Sequence, residues 1–469
     1  MTRPMPENLW TSEDLVAAAK GRAERANGRP IAGISIDTRT LAPGDLFVAL
    51  KDQRDGHAFV GAAFKAGAAA ALVSEAYEPG PNDGPLIRVR DTLSALENIG
   101  RAARARLAPE ARVIAVTGSA GKTGTKDMLR AALSRLGPTH GADKSFNNHW
   151  GVPLTLARMP ATTRFGVFEI GMNHAGEITP LVALVRPHVA IITTVEPVHL
   201  AQFPSVEAIA EAKAEIFTGL EPGGTAIINR DNPHFELLRR RAEARGARVV
   251  AFGQDGRADV RPKVAELSSE GTVMEVDVGG RQVHMRVAVP GIHIARNALA
   301  VAAAIDAAGG DLDEALPALA ALAPPPGRGT RTELSFQGGR ILLIDESYNA
   351  NPASMRAALA VLGTVPRDAF RRRIAVLGDM LELGEYEKTH HVALKEAVDA
   401  AGTDLVFACG PNMAHLFSAL EPSRQGAWAP SSQELRDPLF AALAPGDVVM
   451  IKGSNGSRMG PLAEALRGT

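Results

Sequence analysis

A glycine-rich turn that ends in Gly-Lys-Thr is the segment of this sequence best suited to chemistry. Residues 113–116 are apolar, the turn follows, and a helical pattern starts after residues 121–123. The turn is a short variant, because Val116 stands where the standard pattern has a glycine. Such a loop offers phosphate oxygens backbone N–H groups, a lysine charge and a hydroxyl for Mg²⁺. It predicts an ATP site formed by Gly118, Ser119, Ala120, Gly121, Lys122, Thr123 and Gly124.

Two further candidates stand at the ends of strand-like runs. Glu169 lies in the run 165–171 at the end of an apolar strand, where a carboxylate is costly unless it is paired or metal-bound, so it is a Mg²⁺ ligand candidate. The alternative is an ordinary surface glutamate at a strand terminus. His199 follows the run 191–198 and could hold a metal or a phosphate. A lone histidine is more often a hydrogen-bonded structural residue.

Lys213 falls on an apolar stripe of a predicted helix over residues 206–220. The stripe consists of Val206, Ile209, Ala210, Ile216, Phe217 and Leu220. A lysine there either snorkels at the edge of the stripe or is desolvated or modified. Burial lowers the pKa of an amine, and a neutral amine can take up CO₂ to form a carbamate, an anionic ligand suited to Mg²⁺.

The composition is that of an ordinary globular protein. The 469 residues suffice for three domains of about 150 residues each. A net charge of -1 gives no general attraction for nucleic acid or for an anionic membrane. The single cysteine, Cys409, excludes an internal disulfide and fits a reducing compartment. No signal peptide or membrane-spanning run is recognised, so we expect a cytoplasmic protein without membrane insertion.

Strand-like runs alternate with helical stretches along the chain, which predicts an α/β fold with parallel sheets. We expect three domains, at residues 1–108, 109–323 and 324–469, with a boundary marked by Pro324, Pro325 and Pro326. The central domain would be a parallel-sheet P-loop ATPase domain with the phosphate loop at the carboxyl end of its first strand. A small N-terminal domain and a Rossmann-like C-terminal domain would flank it.

The order of motifs resembles that of the Mur ligases over almost the whole chain. The shared motifs are 117–123, 147–148, 169–171, 212–217, His293 with Asn297, 327–328 and 452–454. Segments 345–352 and 378–384, with His390, are similar to those of the members that join D-alanyl-D-alanine to UDP-N-acetylmuramoyl-tripeptide. The resemblance therefore implies these two substrates, ATP and Mg²⁺ as cofactors, and a reaction through an acyl phosphate. We expect a monomer that binds no nucleic acid.

The resemblance also implies a role for each matching residue. Lys122, Lys213, His199 and Glu169 would be catalytic, with Thr123 and Glu169 holding one Mg²⁺, and His199 and a carbamylated Lys213 a second. Asn297 would contact adenine, Asp345 the ribose and Arg328 the phosphates. The N-terminal domain would bind the UDP end of the substrate through Thr38, Arg39, Asp55 and His57. The other substrate-binding positions would be Asn147, Asn148, Tyr348, Asn349, Asn351, Lys452 and Ser454.

Some positions depart from the family pattern. Thr38 replaces a serine, Gly124 a threonine, and Asn455 with Gly456 an Arg-Ser pair. The last change leaves open how the C-terminal domain would bind the dipeptide or the product.

Two alternative functions share part of this chemistry. A folylpolyglutamate-synthase-like ligase would share the ATP chemistry, and a nucleotide switch or phosphotransferase would need no dipeptide. The neutral charge balance disfavours a nucleic-acid motor. The third residue of the tripeptide, diaminopimelate or lysine, is open.

Overall fold

The computed structural model describes residues 8–198, 200–268 and 270–468 and shows an α/β protein with three sheets. In the N-terminal part the sheet order is β1-β5-β4-β3-β2, parallel except for the edge strand β1. The first helix begins after Thr11, whose hydroxyl accepts a hydrogen bond from the Asp14 backbone N–H and so caps the helix. The elements are α1 (Ser12–Ala19), β1 (Arg22–Glu24), β2 (Gly33–Ser35), β3 (Asp45–Val48), α2 (Val60–Lys65), β4 (Ala70–Ser74), β5 (Leu86–Val89) and α3 (Thr92–Ala105).

The central part contains the largest sheet, with the strand order β14-β13-β12-β11-β10-β9-β6-β8-β7. Its first strand, β6, lies between β8 and β9, and the predicted phosphate loop leaves its carboxyl end. The elements are β6 (Arg112–Thr117), α4 (Lys122–Leu133), β7 (Thr139–Gly141), α5 (Gly151–Ala157), β8 (Phe165–Glu169), α6 (Ile178–Val185), β9 (Val189–Ile192), α7 (Val206–Ala214), β10 (Thr225–Asn229), α8 (Phe235–Glu243), β11 (Arg248–Phe252), β12 (Val260–Ser268), β13 (Gly271–Val278), β14 (Arg281–Val287), α9 (Ile292–Ala307) and α10 (Leu312–Ala315).

The predicted parallel arrangement holds for β6 to β11 but not for the last three strands, which form an antiparallel meander. Gly279 and Gly280 connect β13 to β14 with φ angles of 58° and 95°. Two successive residues with positive φ form the tight turn that suits an antiparallel hairpin. The crossover helices that a parallel sheet requires are therefore absent between these strands.

The C-terminal part has the sheet order β15-β16-β20-β17-β18-β19, parallel except for β15. The carboxyl ends of the adjacent strands β16 and β20 bring Glu346 and Lys452 to the edge that faces the central part. The elements are β15 (Thr330–Phe336), β16 (Gly339–Glu346), α11 (Pro352–Gly363), β17 (Arg372–Gly378), α12 (Glu387–Val392), α13 (Leu394–Ala400), β18 (Leu405–Cys409), α14 (Met413–Ala419), β19 (Gln425–Ala429), α15 (Ser432–Ala442), β20 (Asp447–Lys452) and α16 (Met459–Arg467).

The helix predicted over residues 206–220 is shorter than expected. The α-helix α7 ends at Ala214, and the chain continues as a 3₁₀ turn over Glu215–Gly219. The turn packs on α6, where a Cβ on Gly219 would lie 2.5 Å from the Val182 carbonyl oxygen. Other 3₁₀ turns are Gly56–Phe59, Leu316–Ala321, Gly384–Tyr386, Pro422–Arg424 and Asn455–Ser457.

The N-terminal and central parts share one hydrophobic core. The Trp10 indole donates a hydrogen bond to the Ala157 carbonyl oxygen at 3.0 Å, and the Arg106 guanidinium lies 3.6 Å from the centre of the Trp10 ring. The Arg104 side chain donates to the Val185 carbonyl oxygen at 2.9 Å. These contacts fix the N-terminal sheet against the central sheet. Within the described residues, no helix combines the length and the apolar character needed to cross a membrane.

Candidate active site

The phosphate loop is held in shape by Thr193, the residue that follows the neighbouring strand β9. Gly118 has a φ of 149°, and a Cβ there would collide with the Thr193 hydroxyl. That hydroxyl donates a hydrogen bond to the Ala120 carbonyl oxygen at 2.5 Å. Gly121 has a φ of 82°, and a Cβ there would lie 2.5 Å from Asn297 Nδ2. Glycine is therefore required at both positions by backbone conformation and by space.

Lys122 and Thr123 open helix α4 directly after this loop. The Lys122 amine donates to the Gly118 carbonyl oxygen at 2.7 Å and so spans the loop. Burial lowers the pKa of this amine, while the nearby Glu169 carboxylate acts in the opposite direction. The helix N-terminus and the lysine together make this position suitable for phosphate.

Glu169 is the centre of a group of polar side chains next to the loop. It is 4% exposed, and the Thr123 hydroxyl donates to its Oε2 at 3.0 Å. The Asn147 amide donates to its Oε1 at 2.7 Å, and the Ser145 hydroxyl lies 3.0 Å from that of Thr123. No group of three or more His, Cys, Asp or Glu side chains suited to a metal occurs among the described residues. A single carboxylate with hydroxyl groups fits Mg²⁺, which takes its remaining ligands from water and phosphate.

A cavity of about 720 Å³ lies between the central and C-terminal parts and brings most of the predicted nucleotide residues together. Its size is suited to a small-molecule ligand. The predicted site residues on its wall are Ser119, Ala120, Gly121, Lys122, Thr123, Gly124, Asn147, Glu169, Asn297, Arg328, Tyr348, Asn349, Asn351 and Lys452.

Two adjacent carboxylates at the end of β16 face different surroundings. Asp345 is 3% exposed and does not line the cavity. Its Oδ2 accepts a hydrogen bond from Arg467 at 2.5 Å, and its Oδ1 accepts one from the Ser347 backbone at 3.0 Å. Glu346 lines the cavity and pairs with the Lys452 amine at 3.3 Å. Because successive side chains of a strand point to opposite sides, only one of the two carboxylates can face a nucleotide.

The C-terminal wall of the cavity is built by loops that contact one another. The Arg328 guanidinium lies 4.0 Å from the centre of the Tyr348 ring. The Lys452 amine donates to the Asn349 carbonyl oxygen at 2.9 Å. The Asn351 side chain caps α11. Arg328 and Lys452 thus contact two consecutive residues, Tyr348 and Asn349, of the same loop.

Ser454 lies behind this wall. Its hydroxyl donates to the Ala350 carbonyl oxygen at 3.2 Å and accepts from the Leu381 backbone at 3.0 Å. The departing pair Asn455 and Gly456 forms an exposed turn, and a Cβ on Gly456 would lie 2.7 Å from the Leu381 side chain. The segment 378–384, which contains Leu381, is therefore packed against the positions where the family pattern changes.

The predicted UDP-binding residues lie outside the cavity. The Arg39 guanidinium pairs with Asp37 at 2.6 Å and holds the pKa of that carboxyl at about 2, while Thr38 between them is half-buried. The Asp55 carboxylate lies 2.6 Å from His57 Nδ1, and His57 Nε2 accepts from a backbone N–H of β4 at 2.9 Å. These side chains organise their own loops, and their substrate role stays a prediction.

Lys213 is buried, at 2% exposure, so its amine does not snorkel to the surface. Burial lowers the pKa of this amine well below its usual value, and the charge of Lys122 lowers it further. The neighbouring Glu211 pairs with Arg241 at 2.7 Å, and Glu215 accepts hydrogen bonds from the α6 region. Over the described ranges, the charged group that acts on the Lys213 amine is Lys122, and no carboxylate pairs with it. The predicted metal ligand His199 lies outside the described residues.

Several side chains in the site were not assigned a role from the sequence. Thr193 fixes the phosphate loop, Ser145 contacts Thr123, and Glu346 faces the cavity. His293 and Arg296 also line the cavity, and His293 Nδ1 and Arg296 Nε are buried without a hydrogen-bond partner. His293 belongs to a family motif, and Arg296, Glu346 and Ser145 stand one or two positions from assigned residues, whereas Thr193 has no signal in the sequence.

Comparisons with known proteins agree with this architecture. Residues 116–305 match the family "Mur ligase middle domain", and residues 330–455 match "Mur ligase, glutamate ligase domain". The UDP-N-acetylmuramoyl-tripeptide–D-alanyl-D-alanine ligase of Escherichia coli is 37% identical over 92% of this chain and 93% of its own length. The Bacillus subtilis enzyme of the same name is 34% identical over 93% of each chain. A crystal structure of MurF from Acinetobacter baumannii matches with a TM-score of 0.84 and 29% identity, covering 98% of this chain and 99% of that one. The phosphate loop, the cavity it shares with the C-terminal sheet and these matches establish that the chain belongs to the Mur ligase family.

Proposed function

We propose that this protein is an ATP-dependent ligase that joins D-alanyl-D-alanine to UDP-N-acetylmuramoyl-tripeptide during peptidoglycan precursor synthesis. The relatives that match it over more than nine-tenths of its length carry the name of this activity. The observation that carries the proposal is the cavity in which the phosphate loop and Glu169 face Lys452 and the loop 346–351. A cytoplasmic location is consistent with the single buried cysteine.

The chemistry of such a ligase needs help chiefly in its first step. A carboxylate oxygen of the tripeptide attacks the γ-phosphorus of ATP, and the bond to the ADP oxygen breaks, which gives an acyl phosphate. The dipeptide amine then attacks the acyl carbon, phosphate leaves, and the amine loses a proton. Two anions must approach each other in the first step, and Lys122 with the helix N-terminus reduces their repulsion. Mg²⁺, which Thr123 and Glu169 would hold, would supply further screening of phosphate charge.

Omission of single substrates tests this function. Purified protein with ATP, Mg²⁺ and UDP-N-acetylmuramoyl-tripeptide should release phosphate at a sustained rate only when D-alanyl-D-alanine is added. The assay is repeated with UDP-N-acetylmuramoyl-tripeptides whose third residue is either lysine or diaminopimelate, and with glutamate in place of D-alanyl-D-alanine as the acceptor. This panel of substrates separates the ligase from a folylpolyglutamate-synthase-like enzyme. Sustained phosphate release without any amino acceptor, or phosphorylation of a hydroxyl compound, would contradict the proposal.

Glu169→Ala should raise the Mg²⁺ concentration required for half-maximal activity by at least about tenfold, besides lowering the rate. The reason is that Glu169 is the carboxylate beside Thr123, and its loss weakens the ion site more than the nucleotide site. Activity measured over a Mg²⁺ titration at fixed total ATP gives the answer. A mutant with a lower rate but the Mg²⁺ dependence of the parent would remove Glu169 from the metal site.

We further propose that Glu346, the neighbour of Asp345, is the carboxylate that accepts hydrogen bonds from the ribose, because it lines the cavity and Asp345 does not. Glu346→Gln should raise the KM for ATP about tenfold. The same substitution should raise the KM less for the analogue, 2′-deoxy-ATP or 3′-deoxy-ATP, that lacks the hydroxyl contacted by Glu346. Asp345→Asn should instead lower the melting temperature through its lost pair with Arg467. An equal loss for ATP and both deoxy analogues in Glu346→Gln would rule out a ribose contact.

A further inference from the structure

Two adjacent asparagines, Asn147 and Asn148, share one expected role as substrate-binding residues but have different partners in the fold. The Asn147 amide nitrogen donates a hydrogen bond to Glu169 Oε1 at 2.7 Å. The Asn148 amide oxygen accepts one from the Gly151 backbone at 2.9 Å, at the start of α5. Asn147 lines the nucleotide cavity and Asn148 does not. The first therefore belongs to the polar group around Glu169, and the second is part of a helix terminus.

The contact of Asn147 completes the support of the Glu169 carboxylate. One oxygen of this carboxylate accepts a hydrogen bond from Thr123 and the other accepts one from Asn147, at 3.0 and 2.7 Å. Donors on both oxygens fix the plane of the carboxylate, and each oxygen keeps further acceptor capacity for a cation. Loss of a residue that holds a metal ligand in place in this way typically weakens metal affinity by roughly 10- to 100-fold.

Asn147 is itself held in place by backbone contacts. The Asn147 backbone carbonyl oxygen accepts a hydrogen bond from the Gly171 backbone N–H at 2.8 Å. A Cβ on Gly171 would lie 3.0 Å from Asn147 Cγ, so the glycine permits the close approach. The start of the same loop is tied to α4, because Lys126 and Arg130 both donate to the Ala142 carbonyl oxygen, at 2.7 and 3.0 Å. The amide is thus fixed on the carboxylate by a rigid surrounding structure.

We infer that Asn147 is a positioning residue that orients the Glu169 carboxylate for Mg²⁺, and that its amide nitrogen does not serve as a direct contact to the UDP-linked substrate. This inference rests on the proposed function, in which Glu169 holds the Mg²⁺ of ATP. An amide suits the task because it donates a hydrogen bond without adding charge. An aspartate at this position would place two carboxylates at hydrogen-bond distance and raise the pKa of one of them.

The test measures metal binding directly. Mn²⁺ binding to the protein in complex with a non-hydrolysable ATP analogue is followed by the electron paramagnetic resonance signal of free Mn²⁺. Asn147→Ala should weaken Mn²⁺ binding by roughly 10- to 100-fold. Its affinity for the analogue in EDTA should stay within about twofold of the parent value. Asn147→Asp should also weaken the binding, because it removes the donor and brings a second carboxylate to Glu169.

Asn148→Ala is the matched control. It removes the hydrogen bond to Gly151 at the start of α5 and should lower the melting temperature, but it should leave Mn²⁺ affinity unchanged. Parental Mn²⁺ affinity in Asn147→Ala, or an equal loss in Asn148→Ala, would overturn the positioning role. A raised KM for the UDP-substrate with unchanged Mn²⁺ affinity would also overturn it, in favour of a direct substrate contact. If Glu169→Ala binds Mn²⁺ as the parent does, the metal site of the proposed function itself fails, whatever Asn147 shows.

Discussion

Lys122→Ala should lower turnover on the order of 10²-fold or more at saturating ATP and Mg²⁺. The Lys122 amine stands at the N-terminus of α4, on the wall of the cavity, where it spans the phosphate loop through its hydrogen bond to the Gly118 carbonyl oxygen. Alanine removes the positive charge at the position where negative charge on the transferring phosphoryl group must be neutralised. Steady-state phosphate release with all three substrates gives the loss in kcat.

Two measurements separate this effect from misfolding. The melting temperature of Lys122→Ala should remain close to that of the parent, because the lysine makes only one protein hydrogen bond among the described residues. Lys65→Ala, which removes an exposed lysine at the end of α2, should keep full activity. Near-normal turnover of Lys122→Ala would show that the phosphate loop is wrongly assigned.

The phosphate loop could be predicted because its signal is local. An apolar strand, glycines and a helix start follow one another within residues 113–123, and the structure has β6, the turn and α4 in that order. What holds the loop could not be predicted, since the Thr193 hydroxyl that contacts Ala120 follows directly after β9, more than seventy residues further along the chain. Side chains that meet only through the sheet order leave no pattern in a single sequence.

The adjacent residues Asp345 and Glu346 show a second limit. The sequence states that two carboxylates end an apolar strand, and strand geometry places them on opposite sides. It does not say which side meets the nucleotide cavity and which meets Arg467 of the last helix. The antiparallel meander β12–β14 departs from the parallel sheet predicted for the central domain, because an alternation of strand-like and helical runs does not show how each pair of strands is oriented.

Burial of Lys213 leads to the second large effect that we expect. As an ammonium ion, this side chain would be desolvated and would repel the nearby Lys122 charge, and both effects lower its pKa well below the usual value. A neutral amine can attack the carbon of CO₂ and lose one proton, which gives a carbamate anion. The Lys213 carbamate would attract the Lys122 charge and could bind Mg²⁺. Carbamylation would therefore remove the repulsion between the two lysines.

Lys213→Ala should therefore be strongly impaired, and a short-chain carboxylic acid or added bicarbonate should restore part of its activity by filling the vacated space with an anion. Lys213→Arg should not be rescued, because the guanidinium occupies that space with the opposite charge. Glu211→Ala is the control on the same helix: its carboxylate pairs with Arg241, so the substitution should leave activity unchanged.

The parent enzyme, equilibrated with ¹³CO₂, should show a carbamate carbon resonance that is absent from Lys213→Ala. This measurement does not depend on turnover, so it separates the chemical state of Lys213 from the rest of the mechanism. An active Lys213→Arg enzyme together with a parent spectrum free of carbamate would refute the modification. The ATP site would still stand in that case, because its residues line a cavity to which Lys213 does not contribute.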